Sequence, residues 1–237
     1  MSKMGYFVLM RGINFSVGEF YHVFNRGVER RSIFQDLFDL RRFLQSMQEF
    51  NRVDPIGSIY EHTYIFKRKH EVNRQSLNFG HSMSKKDENE NGSEKPLVNF
   101  IAYCLNPNHF HFLVEAVCEK GVEKLMQKIG NGYTKYFNAR YGRSGVLFEG
   151  RFKAAHITSN EQLLHTSVYV SLNNRFTKEV PQLSKSSWEE YLNPDLGGIC
   201  KKDLIMGQFR NIGEYEKFAE DALELIRMRK RGLAFGQ

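Results

Sequence analysis

The stretch "YCLNPNHFHFLVE", residues 103–115, is an apolar run interrupted by one turn signal and one pair of histidines. "NPN" (106–108) separates two segments rich in aromatic and branched residues, "LVNFIAYCL" (97–105) and "HFHFLVEA" (109–116). They read as two strands of a hairpin at the centre of a sheet. Alternate side chains of a strand share a face, so His109, His111 and Leu113 project together. Phe110, Phe112 and Val114 pack on the other face. Two imidazoles so placed can both reach one ion, with Phe110 anchoring the strand between them. By itself H-x-H is a weak signal, because surface and hydrogen-bonded histidines are common. Neutral imidazole suits zinc or manganese, whereas magnesium needs oxygen ligands beside it.

Working outward, "EFYHVFNR" (19–26) alternates as a strand and Gly27 punctuates its end. Asp36 is placed to cap a helix in which Leu37, Leu40, Phe43, Leu44 and Met47 recur at helical spacing. After the hairpin, Val122, Leu125, Met126, Ile129, Tyr133 and Phe137 form one helical stripe across 121–138, with Gly130 and Gly132 inside it. "GVLFEGRFKAAHI" (145–157) supplies a further strand, and Ser159 or Asn160 caps the helix "EQLLHTSVYVSLNN" (161–174). Strand, helix, two strands, helix, strand, helix is an α+β pattern with helices gathered on an antiparallel sheet. Residues 52–96 fit none of this. Their tail "SMSKKDENENGSEKP" (82–96) is polar and charged and reads as a disordered insertion, with 80–96 the disordered part. The stretch before it, "GSIYEHTYIFKRKH" (57–70), reads as a small extended excursion. Residues 1–18 read as an N-terminal arm and 177–237 as a C-terminal accessory region that closes in a helix from about Gly213 to Arg231.

The chain has 237 residues, 41% of them hydrophobic and 26% charged, and the composition is that of a globular protein with a good core. No apolar run is long enough for a membrane span. Three cysteines, Cys104, Cys118 and Cys200, fit neither a zinc pattern nor a disulfide framework, which points to reduced thiols and a cytoplasmic setting. The net charge of +7 favours a polyanionic partner. "NRGVERR" (25–31) and "NARYGRSGVLFEGRFK" (138–153) interleave arginine with aromatic residues and glycine. That mixture suits a groove following a single-stranded backbone while rings stack on bases. Arg26, Arg30, Arg31, Arg143, Arg151 and Lys153 are its candidate phosphate contacts.

The helix at 160–174 offers what the histidine pair lacks. Tyr169 and Asn173 are four apart and share a face, with His165 one turn earlier. The amide oxygen of Asn173 is a hard ligand. A tyrosine hydroxyl is normally a poor nucleophile, but becomes useful beside a phosphate held by a metal. On pattern alone, Tyr169 as an amphipathic core residue is the stronger reading, and Tyr133 and Tyr136 are rivals.

Several blocks, taken in order, tip that balance. "NPNHFHFLVE" resembles the histidine–hydrophobe–histidine (HUH) signature of single-tyrosine transposases of the small single-strand insertion-sequence type and of the REP-associated tyrosine transposases. "YHVFNRGVERRSIF" (21–34), "YTKYFNARYGRSGVLFEGRFKA" (133–154), "YVSLNN" (169–174) and "KSSWEEYL" (185–192) resemble the family's opening strand, central block, tyrosine helix and tryptophan segment. The resemblance implies a ferredoxin-like or RRM-like antiparallel sheet with packed helices over 19–176, plus a C-terminal helical extension. It implies Tyr169 as the nucleophile, and His109, His111 and Asn173 as ligands of Mg2+ or Mn2+. It further implies cleavage and rejoining of single-stranded, hairpin-bearing DNA through a 5′-phosphotyrosine, by a monomer or a homodimer. Two positions depart from the pattern: Asn174 stands where the family usually has proline, and Asn106 where it commonly has methionine. Other readings are a catalytically retired hairpin-binding regulator, a replication initiator or relaxase, and a metal phosphodiesterase. The undiminished set His109, His111, Tyr169 and Asn173 speaks against the regulator. The single tyrosine and the shortage of further carboxylates speak against the other two.

Overall fold

The computed structural model describes residues 13–54, 56–57, 59, 95–176, 181–193, 195 and 197–230. The arm at 1–12, most of the excursion at 57–70, and 80–94 of the expected disordered stretch lie outside the described residues.

Five antiparallel strands form one sheet: β1 (Phe20–Arg26), β2 (Val98–Asn106), β3 (His109–Ala116), β4 (Lys153–Ile157) and the two-residue β5 (Lys185–Ser186). Their order is β4-β1-β3-β2-β5. With α1 (Leu37–Glu49) between β1 and β2, and α2 (Gly121–Arg140) between β3 and β4, the first four strands give the βαββαβ ferredoxin-like arrangement. The expected α+β fold is thus the observed one. Helix α3 (Asn160–Ser171) follows β4, and α4 (Trp188–Leu192), α5 (Asp203–Met206) and α6 (Ile212–Lys230) come after it among the described residues.

The period of two in β1 and β3 sorts side chains onto two cores. Tyr21, Val23, Phe110, Phe112 and Val114 join Phe43, Met47, Leu125, Ile129 and Tyr133 under α1 and α2. Leu113 joins Val168, Val170 and Leu172 of the α3 segment on the opposite face, together with Tyr191, Ile205, Tyr215, Ala219 and Leu223. A register shift between Phe100 and Ala102 turns Ile101 and Ala102 both toward that second core. The C-terminal helices therefore share a core with the helix that carries Tyr169.

Local chemistry fixes the elements. Asp36 caps α1, accepting from the amides of Phe38 and Asp39. Ser159 caps α3 by accepting from Gln162. Buried Asp39 ties α1 to α2, accepting from Arg140 at 2.8 Å, Tyr136 at 3.0 Å and Tyr141 at 2.8 Å. Helix α2 runs unbroken through both glycines. Of these two, Gly132 is the one needed for a close approach: a Cβ there would lie 2.6 Å from the Phe50 ring, whereas one at Gly130 meets nothing within 4 Å.

Two expectations need correcting. Residues 145–152 are not strand; Gly145 and Gly150 adopt positive φ, and the segment loops back to β1 through Val28 N–H to Leu147 O and Glu149 N–H to Arg26 O. Helix α3 ends at Ser171, so Asn173 stands in the 3-10 turn Asn173–Phe176 beyond it.

Candidate active site

β3 carries His109 and His111 onto the sheet face that α3 crosses, and the two rings lie 5.3 Å apart, nearly perpendicular. The ring of Tyr169 meets His111 edge-on at 5.7 Å. The turn after α3 brings the Asn173 Oδ1 to 3.2 Å from His109 Nε2. All four residues are thus gathered within one chain.

Asn108 Oδ1 contacts His109 Nδ1 and can only accept, so the proton sits on Nδ1. His109 Nε2 then turns a lone pair toward the Asn173 carbonyl oxygen. Two acceptors held 3.2 Å apart are what cis ligands of a six-coordinate ion require, since bonds of about 2.1 Å at right angles separate them by about 3.0 Å. The residues present therefore fit a divalent cation. Among the described residues no group of three or more His, Cys, Asp or Glu side chains is placed to hold a metal, so the protein donors on offer are neutral imidazoles and amides.

Tyr169 is partly buried, and desolvation raises its phenol above the ordinary tyrosine value. A hydrogen bond from the Asn173 amide opposes that rise. Asn173, 3% exposed, thus has one end toward His109 and the other toward Tyr169. Tyr133 and Tyr136 are elsewhere. The Tyr133 hydroxyl donates to Ile33 O at 2.7 Å beneath the other face, and Tyr136 belongs to the Asp39 cluster. His165 packs on Phe218 of α6 at 5.2 Å, and Glu115 accepts from Asn99 at 2.7 Å.

Sequence reasoning passed over two residues here. His22, on β1 opposite Leu113, bonds through Nε2 to His111 Nδ1 at 2.9 Å and meets the Tyr169 ring at 5.7 Å. Burial lowers its pKa to about 3, so it stays neutral and holds the His111 ring in place. The alternation of "FYHVFNR" sets His22 on the face opposite Tyr21 and Val23, a signal present in the sequence but tied to no partner. The second residue is Asn106, fully buried at the end of β2 and paired in register with His109. Its Nδ2 stands 3.0 Å from both His109 Nε2 and Asn173 Oδ1.

A cleft of about 340 Å³ opens beside the histidines, lined by Phe24, Asn25, Arg26, Arg30, Asn108, His109, His111 and Lys153. Three of the six expected phosphate contacts are in it. Arg26 is paired there with Glu149, whose carboxyl it holds below the usual range. The turn that delivers Arg30 is tight: Glu29 and Arg30 both have positive φ, and a Cβ on Gly27 would collide with the Arg31 carbonyl. Arg151 lines a neighbouring cleft of about 610 Å³ between α2 and the 145–152 loop, which shares Asn25 with the first. Arg31 and Arg143 line neither. Arg31 folds back on Val28 O and Glu29, and Arg143 bonds Asn138 and lies over Phe137.

The model of the family described as "Transposase IS200 like" matches residues 65–173, a stretch that takes in the histidine pair, Tyr169 and Asn173. No curated protein matches the chain. A solved structure described as a REP-associated tyrosine transposase bound to a REP hairpin is similar at a TM-score of 0.45 and 12% identity, over 80% of this chain and 88% of that one. No helix among the described residues is long and apolar enough to cross a membrane. Over residues 65–173, just under half of its length, the chain is similar to the IS200-like transposases.

Proposed function

We propose that this chain is a single-tyrosine HUH transposase that cuts and rejoins single-stranded, hairpin-bearing DNA through a 5′-phosphotyrosine on Tyr169, with His109, His111 and Asn173 holding Mg2+ or Mn2+. The observation that carries the reading is the convergence of His109 Nε2 and Asn173 Oδ1, at 3.2 Å, beside the Tyr169 hydroxyl. The Tyr169 oxygen bonds to phosphorus while the bond from phosphorus to the 3′ oxygen breaks. The phenolic proton leaves to solvent, and the departing 3′ oxygen takes one up. One phosphodiester replaces another, so a 3′-hydroxyl can reverse the step and join strands with no outside energy source. A divalent cation bound at the site supplies polarisation of a phosphoryl oxygen and offsets charge in the transition state. His22 keeps the His111 ring oriented, and Asn173 orients the phenol. Arg26, Arg30 and Lys153 line the path along which the backbone reaches the histidines.

The test is an adduct assay with labelled hairpin oligonucleotides and Mg2+ or Mn2+ on a denaturing gel. A metal-dependent shifted band, absent for Tyr169→Phe and His109→Ala, is expected. Hairpin binding with no adduct under any metal would instead make the chain a regulator that has lost strand transfer.

A further inference from the structure

The amide of Asn106 lies where a third ligand of a cation held by His109 and Asn173 would lie. Its Nδ2 is 3.0 Å from His109 Nε2 and 3.0 Å from Asn173 Oδ1, and those two atoms are 3.2 Å apart. Three atoms at such separations outline one face of an octahedron whose centre lies about 2.1 Å from each corner. In the observed orientation the NH2 group donates to both acceptors, and Asn106 Oδ1 faces the Ser184 hydroxyl at 3.5 Å. A half-turn about the Cβ–Cγ bond exchanges nitrogen for oxygen at the same corner. The surrounding atoms permit this exchange, since the contact given up to Ser184 is long, and the Ser184 hydroxyl and the Cys104 thiol beside the amide can each accept as well as donate.

We infer that Asn106 is a ligand of the catalytic cation. Its amide nitrogen satisfies the site when no ion is present, and its carbonyl oxygen completes a His109–Asn173–Asn106 face when one is. The inference rests on the metal reading above. It also has a consequence for selectivity: a second hard oxygen favours Mg2+ and Mn2+ over softer ions.

The two roles that Asn106 could play predict opposite signs. If Asn106 only fills the ion-free site, Asn106→Leu removes the N–H donor shared by His109 and Asn173, and Mn2+ binds more tightly. If it is a ligand, Asn106→Leu weakens Mn2+ by tenfold or more, whereas Asn106→Asp, which keeps an oxygen, does not. Mn2+ binding is read from the EPR signal of the free ion, with His109→Ala beside the other variants. Unchanged or tighter binding in Asn106→Leu overturns the inference while leaving the metal site standing. Unchanged binding in His109→Ala overturns the metal site itself, and this inference with it. Should Asn106→Leu not fold, the wild-type protein decides. Mg2+ should shift the 15N resonance of the Asn106 side-chain amide as its N–H bonds to His109 and Asn173 are given up; a resonance unmoved at saturating Mg2+ overturns the inference.

Discussion

His22 makes the interior of the site sensitive to pH in a direction that can be worked out in advance. It is 2% exposed, and burial holds its imidazole at about 3, against an ordinary value of 6.5. The folded value is the lower one, so below pH 6.5 the unfolded chain takes up a proton that the folded chain refuses. Stability is intact above that value and falls as the pH drops toward 3. Between pH 7 and pH 5 the difference in proton uptake integrates to about 1.4 pH units, or about 2 kcal/mol at 1.36 kcal/mol per unit. Urea unfolding of the wild type and of His22→Gln at pH 7, 6 and 5 isolates this group, because every other titration is common to both. The wild type should lose about 2 kcal/mol more than the variant over that range. Parallel losses would refute the argument and mean that His22 is protonated, or reached by water, in the folded protein.

The two glycines inside α2, Gly130 and Gly132, should respond oppositely to alanine: Gly132→Ala forces the Phe50 ring aside at a cost of about 1–3 kcal/mol, while Gly130→Ala, with open space around it, is neutral or stabilising by up to about 1 kcal/mol, both read from denaturant midpoints. Arg30→Ala and Lys153→Ala, both in the cleft beside the histidines, should each lower hairpin affinity uniformly across sequences and reduce the slope of log affinity against log salt by about 1; Arg143→Ala, held over Phe137, should change it less. Because the donor set is neutral, cation and phosphate should bind together: calorimetry should find Mn2+ bound at least tenfold more tightly with hairpin DNA present than without it, and equal affinities would mean that the phosphate does not reach the ion.

What could be read in the sequence was what depends on short periods. The alternation in "HFHFLVE" sorted His109, His111 and Leu113 from Phe110, Phe112 and Val114, and both cores respect that division. The caps Asp36 and Ser159 announce themselves because a cap bonds to residues two or three positions away. The spacing of Tyr169 and Asn173 pointed to a shared site even though the α-helix stops between them, since the 3-10 turn still returns Asn173 to Tyr169. Contacts set by sheet register were hidden. Nothing local to "FYHVFNR" says that His22 will meet a residue 89 positions away, and Asn106 showed only as a departure from a pattern. The apolar letters of "GVLFEG" imitate a strand, but Gly145 and Gly150 are used for positive φ and make the segment a loop. The C-terminal region reads as an accessory on the sequence. Yet Tyr215, Ala219, Ala222 and Leu223 recur at helical spacing, and this is the stripe that packs on the second core beside α3.

The central claim, that Tyr169 is the residue joined to DNA, is tested most directly by trapping the adduct on a hairpin oligonucleotide with Mn2+, digesting with trypsin and nuclease, and locating the nucleotide by mass spectrometry. The account predicts a single modified peptide carrying the nucleotide on Tyr169. A nucleotide on Tyr133, Tyr136 or any other side chain would contradict it.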